Sequence, residues 1–253
     1  MLDLAPHNPY SLLVRHPVVA RAGLRGAGIE RLAHTDGVGA ILSDPLLRHD
    51  EPTGAWQATP AGVLWPNGGR SIGRARRDLA RWGAIRRPVI VALQAASAAQ
   101  LRELLRELDA EAHPAMCLDL TSIADPDTVR ELVVAARQDW LKPILAELPL
   151  DGSPSLITAL DDVDALVIAR GGVALGGAAA NPVLGRVVGP AIHPMLLAAT
   201  QRLREHTAKP LIIGAARSEH AAALLAGGAT AVLLDVGLWH TPDLAMQVAE
   251  ERG

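Results

Sequence analysis

Charged side chains follow several of the short aliphatic runs in this sequence. Four acids and three arginines end such runs, namely Asp44, Asp119, Glu147, Asp235, Arg21, Arg170 and Arg217. A guanidinium group such as that of Arg217 can hold a phosphate, although Glu219 and Asp235 are alternative partners for it. Buried acids must find partners or water. We therefore favour a structural network in which these acids pair with the arginines.

The composition argues against metal, disulfide and nucleic-acid chemistry. The histidines form no His-x-His or His-Glu-x-x-His motif and Cys117 is the only cysteine, so we expect no zinc site and no disulfide framework. A net charge of −3 provides no field for nucleic acid or anionic lipid. Because no run of ~18 apolar residues and no leader pattern occurs, we expect a cytoplasmic protein without a membrane span.

The elements that would position the charged residues alternate between strand and helix. Aliphatic runs that begin at Pro, Gly or Asp and lead into Ala/Leu/Arg segments are typical of parallel strands joined by helices. Strands are predicted at 17–20, 39–42, 88–93, 115–120, 143–148, 164–168, 210–213 and 229–234. Helices are predicted at 74–82, 98–112, 125–139, 153–160, 194–207, 218–226 and 241–251.

Eight such units in 253 residues predict a closed (β/α)8 TIM barrel, a single α/β domain over residues 1–253. The segment 47–73 is too long for a simple connection and predicts an elaboration between strands 2 and 3. An open doubly wound sheet is the alternative. It would be favoured by Gly-x-Gly-x-x-Gly after the first strand, and residues 22–26 read Ala-Gly-Leu-Arg-Gly instead.

Four stretches of the sequence carry a family resemblance. They are Ala58-Thr59-Pro60-Ala61-Gly62-Val63-Leu64, Asp119-Leu120-Thr121-Ser122, Gly189-Pro190-Ala191-Ile192-His193-Pro194, and Pro210-Leu211-Ile212-Ile213-Gly214 with residues 224–232. In this order they resemble segments of the dihydroorotate dehydrogenase family, whose members are FMN-dependent barrels of pyrimidine biosynthesis. The third stretch is similar to the family's Ser-Gly-Pro-Ala-Ile-Lys-Pro. The resemblance implies FMN at the carboxyl ends of the strands.

The resemblance also implies roles for individual residues. Ser122 matches the base that removes a proton from the substrate while hydride passes to the flavin. Gly189, Gly214 and Arg217 are expected around the cofactor, because the family holds the FMN phosphate with glycine-rich backbone after the last two strands.

Two lysines near the flavin ring are replaced by acids in this chain. The family's positions after the second strand and on the fifth strand fall on Asp44 and Glu147. Lys142 and Lys209 are the only lysines, and each precedes the first Pro of a strand, so both are expected at the opposite end of the barrel. An ionised Asp235 would in addition repel a phosphate.

Two functions remain open. The first is a divergent FMN oxidoreductase of pyrimidine biosynthesis that acts on a small molecule, dihydroorotate or a related acid. The second is a noncatalytic pseudoenzyme barrel that serves as a structural or partner subunit, in a homodimer or in a heteromer with an active paralogue. The acids at the family's two lysine positions favour the noncatalytic barrel. Neither function involves nucleic acid or a membrane.

Overall fold

The computed structural model describes residues 1–22, 28–51, 57–59, 62–66, 68–152, 154–176 and 183–250. Residues 60 and 61 of the 58–64 stretch lie outside these ranges, as do residues 23–26 after the first predicted strand. The first residue of the helix predicted at 153–160 and the last of the helix predicted at 241–251 also lie outside them.

The strands and helices of the described residues alternate along the chain. The strands are β1 (Leu2–Asp3), β2 (Leu13–Val14), β3 (Val18–Arg21), β4 (Ala40–Leu42), β5 (Leu46–Leu47), β6 (Gln57–Thr59), β7 (Gly62–Pro66), β8 (Arg70–Ser71), β9 (Val89–Leu93), β10 (Ala115–Asp119), β11 (Ile144–Glu147), β12 (Ala165–Ile168), β13 (Val173–Gly176), β14 (Val183–Val188), β15 (Leu211–Ala215) and β16 (Ala231–Leu234). The helices are α1 (Ile29–Ala33), α2 (Ile72–Gly83), α3 (Ala98–Glu107), α4 (Pro126–Asp139), α5 (Pro154–Thr158), α6 (His193–His206), α7 (Ser218–Ala226), α8 (Val236–His240) and α9 (Leu244–Glu250).

Eight parallel strands close into a barrel in the order β3, β4, β9, β10, β11, β12, β15 and β16, and β16 pairs with β3 to complete the ring. These are the eight strands that the sequence predicts, so the (β/α)8 fold is confirmed. The predicted elaboration is also found, because β5, β6, β7 and β8 all lie between the second barrel strand and helix α2, which corresponds to the helix predicted at 74–82.

Alternation of side chains along the strands produces two apolar cores. One core lies between the barrel and its helices and includes Val18, Met116 and Ile144. The other fills the barrel with the residues between them, such as Cys117 and Leu145. The segment of the β1–β2 hairpin adds Leu4, Ala5, Leu12 and Val14 to this inner core. Asn8 of the same segment donates to Asp164, just before β12, so the segment lies at the amino end of the barrel.

Helix positions follow the local signals with one clear difference. Helix α4 begins after Asp125, whose Oδ2 accepts a hydrogen bond from Thr128 N at 2.9 Å, so the predicted N-cap is confirmed. Helix α3 ends at Glu107 rather than at the predicted residue 112, because Leu108 turns to extended backbone. The short helices α1 and α8 lie where the sequence analysis predicts no helix.

A second, antiparallel sheet lies at the carboxyl end of the barrel. Its strand order is β13, β14, β7 and β6, and Arg186 of β14 pairs with Trp65 of β7. The sequence analysis predicts the elaboration but not this sheet, which joins residues more than a hundred positions apart. The sheet borders the mouth of the barrel through Trp65 and Arg186.

Candidate functional site

A layer of mostly polar side chains occupies the carboxyl end of the barrel. A residue two positions after an inward-facing residue also faces inward. Cys117 and Leu145 belong to the inner core, so Asp119 and Glu147 extend from the same face of their strands. Counted in this way on all eight strands, the layer consists of Arg21, Asp44, Gln94, Asp119, Glu147, Ala169, Gly214 and Asp235.

Arg21, Asp119 and Glu147 of this layer form one buried ion-pair network with Arg170, the residue that follows Ala169. Arg21 Nη2 lies 2.7 Å from Glu147 Oε1, and the same oxygen accepts a hydrogen bond from Arg170 Nε at 2.8 Å. Arg170 Nη2 donates to Asp119 Oδ2 at 2.7 Å. None of the four residues is more than 6% exposed. The predicted pairing is therefore confirmed for Glu147 and Asp119 with Arg21 and Arg170, and in this network two positive charges face two negative ones.

Asp119 is held in its ionised form. Burial raises its pKa, but Arg170 and hydrogen bonds from Thr121 outweigh burial and lower the pKa of Asp119 below its usual value. Its Oδ1 accepts from Thr121 N at 3.0 Å and from Thr121 Oγ1 at 2.6 Å, while Oδ2 faces Arg170. Because both oxygens are engaged, Asp119 is a structural anion and a poor proton acceptor.

The pKa of Asp235 is shifted in the opposite direction, upwards. Burial raises the pKa of Asp235 to about 6, against the lowering effect of the Arg21 and Arg170 charges. Its Oδ1 accepts a hydrogen bond from Val236 N at 2.5 Å. The carboxyl end of the barrel therefore contains a carboxyl group with a pKa of about 6.

A cavity of about 230 Å³ lies at the mouth, next to the ion-pair network. The predicted base Ser122 lines it and is exposed, and its Oγ accepts a hydrogen bond from Gln94 Nε2 at 3.4 Å. The rest of the lining consists of Asp44, Pro45, Glu51, Trp65, Gly68, Asp119, Thr121, Arg170 and Arg186. Ser122 thus lies at the mouth, beside the network.

Arg186 is a site residue that the sequence analysis did not single out. It is 6% exposed, its Nη1 donates to the carbonyl of Gly171 at 3.3 Å, and its Nη2 donates to the carbonyl of Thr121. The ion pairs of the described residues at this level join Arg21 and Arg170 to Glu147 and Asp119, and none includes Arg186. Burial and the nearby Arg170 charge lower the pKa of Arg186, against the raising effect of the Asp119, Asp151 and Glu147 carboxylates. No sequence signal pointed to Arg186, because strand β14 was not predicted.

Gly189 and Gly214 lie together at a second, much smaller pocket. The space there is about 10 Å³, close to the volume that a single water probe needs. His193 and His220 line it, and their rings stack with centroids 3.9 Å apart and planes 3° from parallel. The structure therefore brings two of the predicted cofactor residues together, in a pocket that is almost filled.

Arg217 lines neither of these two pockets. Its Nη1 is 3.6 Å from Glu219 Oε1, and both side chains are more than half exposed. The expectation that Arg217 joins the buried network is therefore wrong. Arg217 is the N-cap position of α7 and its side chain reaches solvent, whereas Arg21 and Arg170 enter the barrel mouth.

The fold and this site define a (β/α)8 barrel whose carboxyl-end mouth is charged and largely ion-paired. No protein-family model matches the chain, and no curated protein matches it. Within the described ranges, no three or more His, Cys, Asp or Glu side chains come together as a metal site. No helix in the same ranges has the length and apolar character needed to cross a membrane.

Proposed function

We propose that this protein is a noncatalytic barrel, similar to the dihydroorotate dehydrogenases in fold and motifs, that binds no FMN and serves as a binding or partner subunit. The observation that carries the proposal is the ion pair between Arg21 and Glu147. The resemblance implies a lysine beside the flavin at the position of Glu147. In this chain a carboxylate stands there, bound to the guanidinium groups of Arg21 and Arg170.

The charges at the mouth support a barrel without flavin. A reduced flavin carries negative charge, so cationic groups nearby stabilise it. The charges of Arg21 and Arg170 are compensated by Glu147 and Asp119. The lysines are not available, since Lys142 Nζ donates to the carbonyl of Ala110 at 2.6 Å, before strand β11. Lys209 Nζ likewise donates to the carbonyl of Asp161 at 2.8 Å, before strand β15.

The pocket where the resemblance places the FMN phosphate supports the same proposal. The pocket at Gly189 and Gly214 has about 10 Å³ of free space, so a phosphate group would have to displace the His193–His220 stack. Asp235 lines the same pocket, and its ionised form would repel a phosphate. The residues present therefore do not fit FMN, neither at its ring nor at its phosphate.

The test is the flavin content of the full chain purified from cells supplied with riboflavin. We expect no flavin absorbance in the protein peak of a gel-filtration run, and no heat when FMN is titrated into the protein in a calorimeter. Stoichiometric flavin that co-elutes with the protein would contradict the proposal. The oligomeric state measured in the same run shows whether the chain is a homodimer.

One observation favours the FMN oxidoreductase as a second candidate. Ser122 lines the mouth cavity beside Gln94, where the resemblance implies the base. If the protein contains flavin, anaerobic mixing with dihydroorotate should bleach it, and Ser122→Ala should slow the bleaching. Ser155→Ala, at an exposed residue of α5, is the matched control and should leave the rate unchanged. Flavin that dihydroorotate does not bleach would point to another substrate.

A further inference from the structure

We propose that the stacked rings of His193 and His220 form a pH-sensitive latch, which holds the starts of α6 and α7 together at neutral pH and opens when the rings take up protons. Both rings line the small pocket at Gly189 and Gly214. The inference rests on the proposed function in one respect, because it takes this pocket to be free of the FMN phosphate. It goes beyond the proposed function by giving the barrel two states.

The latch joins helices that follow two neighbouring strands of the barrel, β12 and β15. His193 is the first residue of α6, and His220 is the third residue of α7. Their ring centroids lie 3.9 Å apart, and the ring planes are 3° from parallel. The pocket beside the rings has about 10 Å³ of space, so it opens only if the two rings move apart.

The closed stack accommodates neutral rings but not charged ones. A protonated imidazole donates from both nitrogens, whereas a neutral ring donates from only one. The Nδ1 atom of each ring is buried and has no hydrogen-bond partner among the described residues. The pocket holds at most one water molecule. Protonation in the closed state would bury a charged donor without a protein acceptor, which is costly, and opening exposes that donor to solvent.

The charges around the stack oppose protonation, with one exception. Both rings lie at the N-terminal turn of a helix, where the helix dipole disfavours a cation. Arg217, at the N-cap of α7, adds a positive charge near His220. The exception is Glu219, which is 65% exposed and lies 3.6 Å from Arg217. Strand β15 and helix α9 also pack against α7, but β15 is uncharged and α9 has one charged residue, Glu250, at its last position.

The pKa values of the rings set the pH at which the latch opens. Burial lowers the pKa of His193 and of His220 below 6.5, and the His193 and Arg217 charges lower that of His220 further, against the effect of Glu219. The neutral stack is therefore favoured above about pH 6.5 and is lost as the pH falls through the lowered values. Asp235 in the same pocket has a pKa of about 6, so it loses its charge where the rings gain theirs.

NMR of the wild-type full chain with labelled histidine rings measures the latch directly between pH 8 and pH 5. We expect the rings of His193 and His220 to titrate with midpoints below 6.5, because burial and the nearby charges disfavour protonation. Nuclear Overhauser contacts between the two rings should disappear over the same pH range. Rings that stay in contact while they are protonated would overturn the proposal, and so would rings that titrate independently at about pH 6.5.

Amide exchange tests whether the start of α7 opens with the latch. The amide of Ala221 donates to the carbonyl of Arg217 at 3.1 Å, in the first turn of this helix. We expect its protection factor, corrected for the intrinsic effect of pH on exchange, to fall at least tenfold between pH 8 and pH 5.5. Amides of the barrel strand β10 should keep their protection. Equal protection of Ala221 at both pH values, or a loss of protection in β10 as well, would overturn the proposal.

A double variant separates the latch from other titrating groups. His193→Phe/His220→Phe keeps two aromatic rings that cannot be protonated, so the protection of Ala221 should vary less than twofold with pH. The matched control is His34→Phe/His206→Phe, at two exposed histidines outside the pocket, which should keep the tenfold fall. A tenfold fall in the folded His193→Phe/His220→Phe protein would overturn the assignment. If that variant does not fold, the wild-type NMR titration decides alone.

The colour of the purified protein distinguishes this inference from the proposed function. A protein purified with stoichiometric flavin overturns the proposed function. A colourless protein whose His193 and His220 rings stay stacked at pH 5 overturns only the latch.

Discussion

Arg21 and Glu147 contact each other across the axis of the barrel. They lie on β3 and β11, which are separated by three strands in either direction around the ring, and Arg21 Nη2 is 2.7 Å from Glu147 Oε1. A contact between opposite strands forms only where nothing else occupies the axis. This ion pair therefore marks the level at which the barrel interior is closed, just below the mouth cavity.

Replacing Glu147 by Gln should destabilise the protein strongly. The variant leaves Arg21 buried without a carboxylate, so we expect the free energy of unfolding to fall by about 3 to 5 kcal/mol in urea denaturation. The matched control is Glu103→Gln, which breaks a surface salt bridge to Arg48 and should cost less than about 1 kcal/mol. The double variant Arg21→Met/Glu147→Leu should recover most of the loss. Equal stability of the two Gln variants would show that the network contributes nothing.

Asp235 should make stability depend on pH near neutrality. Folding raises its pKa from 3.8 to about 6, so the protonated carboxyl is favoured in the folded state. Its contribution is fully present below about pH 4 and is lost as the pH rises through about 6. Relative to Asp235→Asn, which cannot ionise, the wild type should lose up to about 3 kcal/mol of unfolding free energy over this range. A difference that stays constant with pH would rule out this titration.

The contribution of Asp119 to stability should depend on pH in the opposite direction. Its pKa is lowered in the folded protein, so its contribution is present above the unfolded pKa, about 4, and is lost as the pH falls through the folded value. We expect the wild type to exceed Asp119→Asn in stability at neutral pH and the difference to shrink below about pH 4. Urea denaturation across this range measures both carboxyl variants. The idea fails if the Asp119 difference grows on acidification.

Gly214 should be needed for packing whether or not a cofactor binds. A Cβ at this position would lie 2.8 Å from Ala169 Cα and 2.9 Å from its carbonyl oxygen, and backbone atoms cannot move away cheaply. We expect Gly214→Ala to lower the free energy of unfolding by about 1 to 3 kcal/mol. Gly172→Ala is the control, because a Cβ there meets no atom within 4 Å. Wild-type stability of the Gly214 variant would contradict the packing role.

The sequence predicts the barrel well because each strand repeats the same local signals. Pro143, for example, precedes strand β11, whose first three residues are aliphatic and which is buried on both faces. The charged residues at the strand ends were also visible, and the pairing of Glu147 and Asp119 with arginines follows from the rule that buried charges need partners. For Arg217 the expected place in the network is wrong, whereas the alternative partner Glu219 is the one observed. Sequence alone does not distinguish a strand-end side chain that enters the mouth from one that reaches solvent at the start of a helix.

The sequence by itself determined which residues alternate into the barrel and that acids, not lysines, stand at its carboxyl end. Only the tertiary structure decided which of these charges meet and which reach solvent. Arg186 comes to the mouth through the pairing of β14 with β7, a contact between residues far apart in the chain. Local periodicity carries no information about such pairings. The charge of Arg186 becomes significant only because neighbouring elements bury it.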